Sequence, residues 1–178
     1  MKNKKTAHRY AHALLGMAND KKSLDRIYSD ILHIHAVVAQ SPEFKEFLKN
    51  PIITASEKKN TFKALFESKL SKETVDFLFT LCTKGREDIL DEILDEFLTL
   101  RDEQLGIVKA DVVSVVDLDS KQIEVLTGKL AAITGKTPQL KFYKDPNLIG
   151  GFLVRIGDTV IDGSVKRQLE RLRDQFSG

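Results

Sequence analysis

For about the first hundred residues of this chain, apolar side chains recur at every third or fourth position; just past Gly106 they recur at every second one. An α-helix repeats every 3.6 residues and a β-strand every two. One chain therefore carries two architectures in succession, and the spacing predicts an α+β protein. Residues 1–105 form an N-terminal six-helix bundle, and residues 106–178 a small mixed strand-helix domain.

The helical part is read from its stripes and stops. Ala7, Tyr10, Ala11, Leu14, Met17 and Ala18 make a first amphipathic helix, ending around Asn19-Asp20-Lys21. Leu24, Ile27, Tyr28, Ile31, Leu32 and Val38 make a second. Ser41-Pro42 opens a short third helix with Phe44, Phe47 and Leu48, and Asn50-Pro51 ends it. Ser56 is expected to cap a fourth, with Phe62, Leu65 and Phe66 inward. Ser71 caps a fifth, carrying Val75, Phe77, Leu78 and Leu81 and stopped by Gly85. The sixth runs from about Arg86 to Gln104. Its pairs Ile89-Leu90, Ile93-Leu94 and Phe97-Leu98 alternate with acidic pairs such as Asp91-Glu92 and Asp95-Glu96, which read as a solvent-facing surface.

Beyond Gly106, residues 107–116 are valine-rich and alternate as a strand. Asp119 with Gln122 forms a capping box for a helix through Ile123, Leu126, Leu130 and Ile133, which Gly135 ends. Leu140 and Phe142 mark a second strand. Residues 152–156 and 159–161, joined by Gly157-Asp158, read as a hairpin, with Gly157 supplying the positive φ of a type II′ turn. Gly150-Gly151 permits a bend or bulge entering that hairpin. Asp162 and Ser164, either side of Gly163, offer oxygens to a final helix bearing Val165, Leu169, Leu172 and Phe176. In that helix Lys166, Arg167, Arg171 and Arg173 outnumber Glu170 and Asp174.

Several function classes fall away. The net charge is +2, from 28 basic and 26 acidic residues, without the concentrated basic stripe that nucleic acid requires. The longest apolar runs are far short of the roughly 20 residues a spanning helix needs, so no direct membrane insertion is expected. A single cysteine, Cys82, forms no intrachain disulfide framework and reads as a small buried residue. His8 and His12 stand one turn apart but lack the third ligand and catalytic Glu of a zinc site. Gly150-Gly151 has no Lys-Ser or Lys-Thr after it, and Asp117-Leu118-Asp119 lacks the glycine and final Glu of a calcium loop. No catalytic constellation, metal site or cofactor site is legible.

The run from Leu148 to Val165, with Gly150-Gly151, Gly157-Asp158 and Ile161-Asp162-Gly163-Ser164-Val165 in this order, resembles the C-terminal signature of the F-type ATP synthase delta subunit family, which includes the mitochondrial oligomycin-sensitivity-conferring protein. Arg9-Tyr10-Ala11-His12-Ala13-Leu14 resembles that family's opening helix. The resemblance implies a non-catalytic adaptor of the peripheral stalk, without cofactor. Its helical bundle would grip the N-termini of the alpha subunits, and its second domain would contact the b-type stalk subunits. The implied groove lies between the first and fifth helices. Tyr10, Ala13, Leu14 and Met17 line it on the first, with Ala11 and Ala18 among its small residues; Phe77, Thr80, Leu81 and Lys84 line it on the fifth. A bundle beginning almost at Met1 leaves no room for a transit peptide, so the expected location is the cytoplasmic face of a bacterial membrane, through the complex.

Overall fold

The computed structural model describes residues 2–146, 148–167, 169 and 173, with side chains from Lys4 onward. The chain divides into two compact units, Met1–Arg101 and Asp102–Gly178.

The first unit is helical: α1 (Lys2–Asp20), α2 (Leu24–Gln40), α3 (Pro42–Lys49), α4 (Ala55–Phe66), α5 (Lys72–Lys84) and most of α6 (Leu90–Gln104). Their apolar stripes meet in one core, which holds Leu14, Ile27, Ile31, Phe62, Phe66, Leu81, Ile93 and Phe97 among others. Ser41 caps α3 through Phe44 N–H, with Pro42 in the first turn. Ser71 caps α5 through Thr74 N–H, and Gly85 ends it at φ 59°. The fourth helix begins earlier than Ser56. Thr54 is its cap, because Glu57 stands three residues on and closes a reciprocal box that satisfies two exposed amides at once. The sixth helix is not regular from Arg86; a 3-10 turn, Glu87–Ile89, precedes it. Leu32 and Leu65 lie outside the core, 43% and 40% exposed.

Charged residues take part in the bundle's interior. Lys58 is buried, and its ammonium donates to Leu48 O and Glu87 Oε1, both at 2.7 Å. Asp30, also buried, accepts from Ser71 N–H at 2.8 Å and Thr74 Oγ1 at 2.9 Å, which ties α2 to the start of α5. The acidic side of α6 is not simply solvated. Asp91 meets Lys45 at 2.8 Å, Asp95 meets His35 at 3.0 Å, and Glu96 meets His8 at 2.6 Å. Three other helices are thus pinned to α6 from outside its apolar seam. The bond to Asp91 is the main cause holding the Lys45 ammonium above its ordinary range.

The second unit is a four-stranded sheet, β1 (Ile107–Ser114), β2 (Thr137–Lys144), β3 (Phe152–Ile156) and β4 (Thr159–Asp162), in the order β2-β1-β3-β4. β1 and β2 are parallel, so a crossover must join them. Helix α7 (Ser120–Thr134) is that crossover, with the expected Asp119–Gln122 capping box and Gly135 ending it at φ 66°. β3 runs antiparallel to β1 and β4 antiparallel to β3. Ala110, Val112 and Val154 on the sheet pack against Leu126 and Leu130 of α7. Lys109 at the start of β1 pairs with Asp102 in the last turn of α6 at 2.6 Å.

The hairpin turns at Gly157, φ 54°, with Asp158 exposed beside it. The corner after β4 explains the glycine signature. Gly151 has φ 80°, and a Cβ there would lie 2.4 Å from Gly163 O and 2.9 Å from Ser164 Cα. The pair permits two backbones to touch, which is more than a bend. Gly163 N–H donates to Phe152 O at 3.0 Å, and Val165 N–H to Gly150 O at 3.0 Å. Ser164 Oγ accepts from Arg167 N–H at 3.3 Å and caps the helix, while Asp162 Oδ1 accepts from Ser164 N–H at 2.9 Å and closes a turn just before it. Helix begins at Val165. The expectations on Glu170, Arg171, Leu172, Asp174 and Phe176 lie outside the described residues.

Candidate functional site

The surface of interest runs along α1 and α5. Both helices feed the same core, and their ends meet where Lys21 Nζ donates to Glu73 Oε1 at 3.2 Å. Glu73 lies in the first turn of α5; its carboxyl is held below the ordinary range first by its own backbone N–H and then by Lys21. His8–Glu96 anchors the other part of α1, and the Asp30 cluster anchors the start of α5. The two helices are therefore fixed by polar ties of their own, which lowers the ordering cost of binding along them.

The sequence-predicted groove residues separate into two groups. Leu14 and Leu81, 1% and 0% exposed, are core residues and present no surface. Ala11 and Ala18 are equally buried, each 0% exposed. Their small size serves close packing inside the bundle, since they sit on the inward face of α1. Tyr10, Met17 and Phe77 are part-buried, one side of each packed on the core. Ala13, Thr80 and Lys84 are exposed. The Thr80 hydroxyl donates back to Asp76 O at 2.8 Å, which satisfies its polar atom within the helix. Lys84 stands in the last turn of α5, where positive charge suits the helix dipole.

A residue absent from the sequence reading belongs with these. Gly16 lies mid-helix on the Ala13 and Met17 side of α1, and a Cβ built on it meets nothing within 4 Å. Glycine in a helix interior is unfavourable by roughly 0.5–1 kcal/mol relative to alanine, and no contact inside the subunit requires it here. The signal in the sequence was a glycine within a helical stripe that marks neither a turn nor an end.

Elsewhere the chemistry is quiet. Cys82 is buried, and desolvation pushes its thiol up to about 11. Among the described residues no group of three His, Cys, Asp or Glu side chains could hold a metal ion. Also among them, no helix is long and apolar enough to cross a membrane.

A helical bundle with a half-apolar surface on α1 and α5 is followed by a small sheet domain. Residues 6–176 match the family model for the ATP synthase delta (OSCP) subunit, and the chain belongs to that family. A delta subunit from Chloroherpeton thalassium is 36% identical over 169 residues, covering 95% of this chain and 92% of that one. A chloroplastic delta subunit from Ochrosphaera neapolitana is 41% identical over 169 residues, 94% of each chain. The fold also matches a chain of the Toxoplasma gondii mitochondrial ATP synthase hexamer, with a TM-score of 0.68 over 97% of each chain at 23% identity. The role is that of a non-catalytic peripheral-stalk subunit of an F-type ATP synthase.

Proposed function

We propose that the α1 and α5 surface, with Tyr10, Ala13, Gly16, Met17, Phe77, Thr80 and Lys84, receives a helix from the N-terminus of an alpha subunit of the catalytic head. On this reading residues 1–105 hold the head, and residues 106–178 contact the b-type stalk subunits at the cytoplasmic face of a bacterial membrane. The observation that carries it is the alternation of exposed small positions with half-buried large apolar ones on two helices tied end to end. A docked helix needs an apolar floor and room for its backbone, and Ala13, Gly16 and the side of Thr80 leave that room. The task requires contacts that outlast many turnovers, because torque from the central shaft drags the head around unless a stator holds it.

Tyr10→Ala and Ala13→Phe test the assignment. Burying a large apolar side chain is worth roughly 1.5–3 kcal/mol, which corresponds to about ten- to a hundredfold in affinity. Titration with an alpha-subunit N-terminal peptide should show a loss of that size for Tyr10→Ala. Ala13→Phe should block close approach while thermal unfolding stays near wild type. Native peptide affinity in both variants would place the site elsewhere.

A further inference from the structure

The two ends of the α1 and α5 surface differ in charge. At one end the tip of α1 meets the first turn of α5 through Lys21 and Glu73, 3.2 Å apart. Asp20, Lys22, Lys72 and Asp76 stand close by in sequence, so acids and bases are balanced there. On α1 the four-residue spacing leads away from that junction, from Met17 through Ala13 to Arg9 and Lys5, each beside the next on the helix. On α5 the row Glu73, Phe77, Thr80, Lys84 leads away from it in the same manner. Arg9 and Lys84 each lie about three turns from the junction. Arg9, Lys5 and Lys84 are exposed, and none has an acidic partner among the described residues.

Lys84 suits the dipole at the end of α5, but cations in the opening turns of a helix oppose it. Arg9 and Lys5 stand in such turns, and α1 has no acidic residue in its first turn. The 490 Å³ cavity beside them, bounded by Lys4, Lys5, His8, Arg9 and Glu96, holds a single carboxylate, and His8 occupies it at 2.6 Å.

We propose that the alpha-subunit helix received on this surface carries carboxylates at one end of its apolar seam, that these meet Arg9, Lys5 and Lys84, and that the contact fixes which way round the helix lies. An apolar floor such as Tyr10, Met17 and Phe77 discriminates weakly between the two directions of a helix. Charge at one end only penalises the reversed one. This rests on the reading that an alpha-subunit helix docks here, and adds its direction and charge pattern.

The test titrates the full chain with an alpha-subunit N-terminal peptide, following affinity and association rate at low and at physiological salt. Arg9→Glu with Lys84→Glu should weaken binding by about tenfold, mostly through slower association, and flatten its salt dependence. Tm should stay near wild type, since both side chains are exposed. Should the reversal lower Tm, Arg9→Gln with Lys84→Gln reads the same effect through the salt dependence alone. Changing the peptide's acidic residues to lysine one at a time should restore binding to the reversed variant at one end of the peptide only, which reads the direction. Lys121→Glu with Lys129→Glu, on α7, brings the same change in net charge and should leave peptide binding as it was. If wild type binds the peptide and the reversed variant binds it equally well, the proposal is wrong, while docking stands as long as Tyr10→Ala weakens it. Rescue spread along the whole peptide, an equal loss in the α7 control, or competition by poly-glutamate as effective as the peptide itself would each overturn the proposal too. If wild type does not bind the peptide, the docking reading falls first and this falls with it.

Discussion

The bundle and the sheet domain keep their shapes by different means. In the bundle, Phe44, Phe62 and Phe66 pack with ring centroids about 6 Å apart, and the core extends across all six helices. Buried charges there are matched to partners, as in Lys58 with Glu87. The sheet domain, among the described residues, buries five apolar side chains completely enough to count as core: Ala110, Val112, Leu126, Leu130 and Val154. Its distinctive restraint is a backbone contact at Gly151 and Gly163. Stability in the first region is spread over many side chains. In the second it is concentrated at a corner where no side chain fits.

The largest expected effect is in the bundle. Lys58→Ala leaves the Glu87 carboxylate buried without its cation, a change that costs about 3–5 kcal/mol. Denaturant unfolding should show the loss, and amide exchange should place it in α3 to α6 and not in the sheet. Because the penalty comes from the orphaned charge, the double variant Lys58→Met, Glu87→Leu should recover most of it.

Next comes the corner. Gly151→Ala combines a positive φ with a Cβ pushed against Gly163 O, and about 2–3 kcal/mol is expected. Exchange should accelerate in β3 and β4 while the helices keep their protection. Equal loss in both regions would break the comparison, since it would make the two units one cooperative body.

A smaller effect has the opposite sign. Gly16→Ala and Gly128→Ala should each stabilise the isolated chain by roughly 0.5–1 kcal/mol, read as a rise in Tm. Destabilisation by either would mean that the glycine serves the subunit's own fold, and in the case of Gly16 the docking assignment on α1 would lose its support.

The smallest effects depend on pH. The Thr54 hydroxyl, followed by its backbone N–H, holds the Glu57 carboxyl below its ordinary 4.5, and Glu73 is lowered as well. A depressed folded pKa contributes stability above the unfolded value and loses it as pH falls through the folded one. The bundle's Tm should therefore decline below about pH 4.5, and Glu57→Gln should shrink that decline. Cys82 has the reverse sense. Its thiol is raised from 9.0 to about 11, so its contribution is complete below 9.0 and lost as pH climbs toward 11. At neutral pH a thiol reagent should label it only after unfolding.

Much of the architecture was legible because it is local. Ser71, Asp119, Gly85, Gly135 and the Gly157 hairpin were identifiable since a cap or turn is decided within a few residues. The α4 cap was misplaced by competition between two suitable residues, Thr54 and Ser56, and the partner Glu57 decided it. In the site, the half-exposed Tyr10, Met17 and Phe77 stand on the predicted helices. Leu14 and Leu81 do not reach the surface, because an apolar residue on a stripe looks the same in sequence whether it tops a groove or fills a core.

The sequence by itself determined the order of elements, the change from helix to sheet near Gly106 and the family, since period, caps and a contiguous motif are properties of neighbouring residues. Only the tertiary structure decided which charges are interior. Lys58 and Glu87 are 29 residues apart and Asp30 and Ser71 are 41 apart, and no local pattern distinguishes these buried charges from solvated lysines, aspartates and glutamates. It alone showed that Gly151 is required by the Gly163 carbonyl, while Gly16 and Gly128 face open space. Whether a missing Cβ leaves room for a neighbour or leaves a surface bare depends on what the rest of the chain brings within 4 Å.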